Sequence, residues 1–364
     1  MLFDRTYETM TSKERVKRTF NFEKSDRVPI NYFANPTIHK NFAEAIGVSD
    51  GNYEKVLDII GADFRGVGAP YRGPALFKQV DGLGVDPVYG FYTKLIYNES
   101  GYYHDFCNFP LRDADDETIA NFPVPDPDDF DYSDIARALE FYKDKAIHIG
   151  GAGTSDIINS TGRVMGMEET LVRLYNGDEA TLAYLDRRLD MELGVLERVM
   201  RAAGGQVDFL WLGEDLGTQI APMISLDLYR RVFRPRHQKF VDFAKSYGLP
   251  VMIHTCGSSS WVYEDFIEMG INAVDTLQPE AVNMGPKYLK EHFGGRLCFH
   301  GFISTAGVLT EGSAADVENT VKETIGLLDG LHCYMLSPTH MIQDNTPVEN
   351  VIAMYRAAHK YGRY

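Results

Sequence analysis

Short apolar or β-branched runs, bounded by Gly, Pro or polar residues, recur along this chain, and amphipathic stretches of helix length separate most of them. Eight such runs predict strands: 28–33 (VPINYF), 63–68, 146–151, 208–213, 250–254, 273–277, 297–301 and 333–337. Residues 227–247, broken only by Pro235, 313–329 and 348–361 predict helices, and 167–204 predicts a long helical region of two helices. Alternation of strand and helix predicts a parallel sheet with helical crossovers. Eight repeats of that unit predict a closed (β/α)8 TIM barrel. One segment breaks the pattern. Residues 72–132 are rich in Gly, Pro, Asp and Tyr, which predicts a β-rich excursion inserted between strands two and three, ending in the acidic loop PVPDPDDFD. Its Tyr and Phe suit a lid over an apolar substrate; a surface decoration is the plainer alternative. The expected organisation is one barrel domain over 1–364 with an insert at about 72–132.

Composition narrows the function classes. At 364 residues the chain is long for one domain, but α/β barrels reach this size. Acidic residues number 52 against 36 basic, a net charge of -16. That balance argues against a nucleic-acid binder and against docking on anionic lipid. No apolar run has transmembrane length, and the first twenty residues lack an apolar signal core. Four cysteines, at 107, 256, 298 and 333, do not resemble a disulfide framework. The expectation is a cytoplasmic protein whose thiols are free to act as ligands.

Barrel enzymes carry their chemistry at the C-terminal ends of their strands. Here those ends offer Glu214 and Asp215, then His254 and Cys256 in PVMIHTCGSSS, then Gln278, Glu280, His300 and His340. Side chains alternate across a strand, so His254 and Cys256 share a face while Thr255 points away. Such a pair can grip zinc, which suits an imidazole and a thiolate at about 2.0–2.3 Å. The alternative is a small buried thiol beside a hydrogen-bonded His. Gly257 and the serines after it give slack and a possible helix cap. Glu214 and Asp215 read either as a solvated helix-start pair or as rim acids with a chemical role. His300 reads as a satisfied core histidine, Cys298 and Cys333 as core thiols, and Cys107 stays unassigned. No Gly-rich phosphate loop follows the first strand.

The segments MTSKERVKRTFNFEKSDRVPI, GEDLGTQ, HTCGSSSWVYEDFIEMGINAVDTLQP, GGRLCFHGFIST and LSPTHMIQDNTPVENV together resemble the uroporphyrinogen decarboxylase superfamily, most strongly from about residue 205 onward. The resemblance implies an α/β barrel. It also implies one of two activities: decarboxylation in the haem pathway, or zinc-dependent methyl transfer with corrinoid proteins. The decarboxylases clamp a carboxylate-rich substrate with an arginine-bearing loop; the corresponding YFANPTIHK has none. The methyltransferase branch is implied instead. Its His-x-Cys pattern falls on His254 and Cys256, and its third ligand, normally Cys, falls on His340. Under this resemblance zinc is held by His254, Cys256 and His340, with Glu214 as fourth ligand or general acid. Glu214 and Asp215 are the catalytic candidates, and Gln278 and Asn345 orient substrate. Two imidazoles and one thiolate would leave a net positive zinc, which favours an O-methyl ether as the small-molecule methyl donor over thiol methylation. The methyl acceptor would be a corrinoid (cobalamin) on a separate protein docking at the mouth, framed by residues 78–105. The rival expectations are a metal-free decarboxylase, a thiol-methylating enzyme, and a non-catalytic binding module. The sequence leaves the oligomeric state open.

Overall fold

A computed structural model describes residues 2–98 and 101–364; Met1, and Glu99 and Ser100 of the expected insert, lie outside the described residues. After β1 (Phe64–Gly66) come three short strands, β2 (Gly84–Val85), β3 (Tyr92–Asn98) and β4 (Gly101–Phe106). Then follow β5 (Ala146–Gly150), β6 (Phe209–Gly213), β7 (Val251–His254), β8 (Ala273–Leu277), β9 (Cys298–Ile303) and β10 (Tyr334–Pro338). The fold is α/β. Seven strands form one curled parallel sheet in the order β1-β5-β6-β7-β8-β9-β10, while β2, β3 and β4 pair separately as an antiparallel sheet. Helices occupy most of the connections, as parallel crossovers require.

The strand expected at 28–33 is not a strand. It is reduced to an isolated parallel bridge between Ile30 and Leu336. Pro29 has no N–H to give a ladder, so the segment cannot sustain regular pairing. It still joins the two edges of the sheet. On one side Leu336 N donates to Pro29 O and Asn31 N to Leu336 O; on the other, Asp63 N donates to Ile30 O. The sheet is thereby drawn into a barrel-like ring.

A buried ionic latch holds this join. Arg15 Nη1 lies 2.5 Å and Arg27 Nη1 2.7 Å from the Asp63 carboxylate, which also accepts from Ile30 N at 2.7 Å. Burial opposes the Asp63 charge, but the two guanidiniums outweigh it and hold its pKa near about 2.

The helical expectations resolve locally. The 167–204 region splits into Met167–Asn176 and Glu179–Ala203. Gly177 closes the first helix in the left-handed region, and the Asp178 side chain caps the second by accepting from Thr181 N. Over 226–246, a π-turn at Tyr229–Phe233 precedes Arg234–Ser246. Pro235 thus follows directly on the π-turn, whose wider i→i+5 ladder, with Arg234 N donating to Tyr229 O, accommodates a residue without an N–H. Cys298 and Cys333 are buried core thiols. Among the described residues no helix is long and apolar enough to cross a membrane.

Candidate active site and metal centre

The C-terminal ends of the parallel strands surround a cavity of about 610 Å³. Strand alternation decides what enters it. Phe64 and Gly66 of β1, His148 of β5, Trp211 of β6, Asp275 of β8, His300 of β9 and Ser337 of β10 all line the space. Tyr32 and Phe33, from the arginine-free YFANPTIHK segment, add aromatic wall, as do Tyr53 and Tyr142. Gly66 makes room for an imidazole: a Cβ there would lie 2.9 Å from His148 Cε1.

At the rim, Asp215, His254 and Cys256 each offer one ligand atom, all within 4.8 Å of one another. Theirs is the one such group among the described residues. Cys256 Sγ is 3.4 Å and Asp215 Oδ1 3.6 Å from His254 Nε2. The loop around Cys256 is held on several sides. Cys256 N donates to Asp215 Oδ1 at 3.0 Å, and Gly257 N to Gln278 Oε1 at 2.6 Å. Ser258 N donates to Thr218 O. Gly257 sits at φ +68°, and a Cβ there would be built into the Gly217 carbonyl, so glycine is required. The serines do not cap a helix by side chain; Ser259 Oγ instead meets the Tyr263 hydroxyl at 3.1 Å.

Behind the rim, Asp275 joins two imidazoles. Its Oδ2 is 2.9 Å from His254 Nδ1, and its Oδ1 is 2.5 Å from His300 Nδ1 and accepts from Thr276 N at 2.6 Å. Burial opposes the Asp275 charge, but His300 and His254 outweigh it and keep the carboxyl far below the usual range. An ionised Asp275 holds a proton on Nδ1 of His254 and turns Nε2 toward Cys256 and Asp215, so Nε2 is the nitrogen that would ligate once its own proton leaves. Burial lowers the His254 pKa, but its bonds to Asp275 and Cys256 prevail and raise it well above the usual value. Burial pushes the Cys256 thiol up. For Asp215, burial is outweighed by His254, by the Cys256 amide and by Asn159 Nδ2 at 2.9 Å, so its carboxyl lies below the usual range.

The donor set fits zinc. An imidazole, a thiol and a carboxylate converge, and the imidazole carries a carboxylate on its far nitrogen. Thr276, on β8, has φ +64°, a strained conformation for a β-branched residue, and places Oγ1 2.6 Å from His254 Nδ1.

The structure separates the two rim acids. Glu214 points out of the barrel, is 1% exposed, and accepts from Ile157 N at 2.8 Å and Ile158 N at 3.0 Å, where the helix Ile158–Met165 begins. Burial raises its pKa well above the usual value. It is not brought to the metal group; Asp215 takes that place. His340 lines the same cavity from its solvent-facing side but stands outside the 4.8 Å group. Gln278 positions the Cys256 loop through its bond to Gly257, and Asn345 is exposed. His300, expected as a satisfied core histidine, is satisfied on Nδ1 only; its Nε2 is buried without a partner. Asp275, His148 and Trp211 went unnoticed in the sequence. An acid inside the otherwise apolar run AVDTL was the available signal for Asp275.

The uroporphyrinogen decarboxylase (URO-D) family matches residues 111–361. A solved methyltransferase from Methanosarcina mazei is similar in fold, with a TM-score of 0.65 and 16% identity over 97% of this chain and 99% of that chain. No curated protein matches the sequence.

Proposed function

The chain belongs to the uroporphyrinogen decarboxylase family, and from that premise we propose that it is a zinc-dependent methyltransferase. In this reading it moves a methyl group from a small methylated donor to a corrinoid on a separate protein. The convergence of Asp215, His254 and Cys256, with Asp275 behind the imidazole, carries the proposal. The fold shared with a methyltransferase supports it. The metal-free decarboxylase is disfavoured by the cavity. Arg65 is the one arginine in its lining among the described residues, and it is engaged by Glu54, Asp58 and the carbonyls of Ala62 and Phe64. No guanidinium remains there to receive a substrate carboxylate.

Asp215, His254 Nε2 and Cys256 Sγ would hold the zinc. When bound there, zinc supplies a Lewis acid for the donor's heteroatom. Asp275 fixes the His254 tautomer. Gln278 and Asn159 position the Cys256 loop and the Asp215 carboxylate. His340, at the open side, faces incoming donor or acceptor. The corrinoid protein would dock at the cavity mouth; among the described residues, none of β2–β4 contributes to the cavity lining. Two anionic ligands balance the zinc charge, so the charge reasoning that favoured an ether over a thiol does not apply to this ligand set. The uncharged aromatic walls now carry that preference: they suit a neutral O-methyl ether. A thiol acceptor remains the second reading, because a neutral zinc with thiolate and carboxylate ligands suits thiol activation.

The test is metal content together with methyl transfer. The purified protein should hold about one zinc, and Cys256→Ser and His254→Ala should each lose most of it. Retention of a full equivalent by both variants would overturn the site. Methyl transfer to reduced corrinoid protein from aryl methyl ethers should exceed transfer from methylated corrinoid to a thiol.

A further inference from the structure

Below the metal group, the cavity floor carries polar atoms that no protein group satisfies. His300 is 1% exposed, and its Nε2 has no hydrogen-bond partner. Trp211 Nε1 and His148 Nδ1 are buried and unpartnered in the same way. The three rings touch. Trp211 lies edge-on to His300 with centroids 5.6 Å apart, and to His148 at 5.0 Å; Phe64 lies edge-on to His300 at 5.6 Å. All four line the cavity. Buried polar groups left unpaired are costly, so a set gathered on one face of a cavity is built for a ligand that supplies the missing partners.

The hydrogen-bond capacities describe that ligand. His300 Nδ1 is turned to Asp275, so Nε2 is the ring nitrogen left for a ligand, and in the tautomer with the proton on Nδ1 it accepts from an O–H or N–H donor. Trp211 Nε1 is a donor only and needs an acceptor. A hydroxyl both donates and accepts. The surrounding Phe64, Tyr32 and Phe33 offer flat apolar wall for a ring, and Arg65 is already paired, so among the described residues of the lining no guanidinium is free for an anionic head. We propose that the floor around His300 is a hydroxyl-recognition subsite for a single-ring aromatic ligand that carries a free O–H. The O–H donates to His300 Nε2 and its oxygen accepts from Trp211 Nε1 or a neighbouring donor. This deepens the proposed function by naming the substrate's chemical class, and rests on it only in taking this cavity as the substrate site.

Binding can be read without turnover. Trp211 is one of two tryptophans in the chain, so ligand entry should change intrinsic fluorescence. Phenol, anisole and toluene are titrated into the full chain, with zinc content measured alongside. Phenol should bind at least ~10-fold more tightly than either analogue, because both leave the buried acceptor unpaired. In His300→Gln, whose amide can still meet Asp275, that preference should shrink to within about two-fold while zinc content is unchanged. Equal affinities for phenol and anisole on the wild type would overturn the subsite without recourse to any variant. Survival of the preference in a folded His300→Gln would overturn the role of His300. A phenol preference in protein that cannot bind zinc would keep the subsite and remove the methyl-transfer reading. Zinc binding without a phenol preference would do the reverse.

Discussion

Asp275→Asn is the most informative single substitution, because it changes almost no volume and reverses one hydrogen bond. In the wild type, Asp275 Oδ1 accepts from both Thr276 N and His300 Nδ1, and Oδ2 faces His254 Nδ1. A backbone N–H can only donate. The oxygen of the introduced side-chain amide must therefore stay at the Oδ1 position, which turns its NH2 toward His254. Facing a donor, His254 Nδ1 becomes the acceptor and the proton moves to Nε2. That is the nitrogen aimed at Cys256 and Asp215. An imidazole protonated there cannot ligate, so zinc binding must first restore the other tautomer against a donor–donor contact. Loss of a carboxylate behind a ligating histidine weakens metal affinity by about 10–100-fold, or roughly 1.4–2.7 kcal/mol. Thr276 Oγ1, 2.6 Å from the same Nδ1, offers a weaker uncharged acceptor. The single variant should therefore lie near the ~10-fold end and the double variant with Thr276→Val near the ~100-fold end. Competition against a chromophoric chelator at neutral pH measures this, with a thermal melt to establish the fold. An Asp275→Asn affinity within two-fold of wild type would refute the tautomer reasoning.

Asp215→Asn should lower zinc affinity. Glu214→Gln should leave zinc content intact but destabilise by about 1–3 kcal/mol, since an amide replaces one of two acceptors at the buried start of the Ile158–Met165 helix; denaturant melts with metal analysis separate the two effects. Asp63, with its pKa depressed to about 2 from 3.8 in the fold, contributes stability that is complete above about pH 4 and lost as pH falls toward 2. Asp63→Asn should cost about 3–5 kcal/mol at neutral pH, by leaving Arg15 and Arg27 buried without their shared anion. A mutant curve parallel to wild type through that acid range would refute the assignment.

Seven of the eight expected strands occur within a residue or two of their sequence positions, because buried parallel strands announce themselves as apolar runs. The eighth was apolar for another reason: its side chains fill the core at the join, while Pro29 prevents a ladder. His254 and Cys256 were legible because the period of two is local. The choice between Glu214 and Asp215 was not, since a pair of adjacent acids reads the same from either face. Trp211 resolves it: a residue that lines the cavity sets the parity, and 211, 213 and 215 share that side. His340 was placed by likeness to a motif, yet its loop leaves it at the mouth. Asp275 and the free nitrogen of His300 depend on contacts between strands, which no single segment displays.

The join at residues 29–31 has a kinetic consequence. Its hydrogen bonds tie Pro29 and Asn31 to Leu336 and Ile30 to Asp63, so the closure pairs this segment with a strand made much later in the chain. Until Tyr334–Pro338 emerges, β1 and β9 are open edges able to recruit a neighbouring chain. Contacts so distant in sequence slow folding. A nascent chain should therefore stay vulnerable to aggregation and proteolysis until Tyr334–Pro338 has emerged, and gain protection in one step when the join forms.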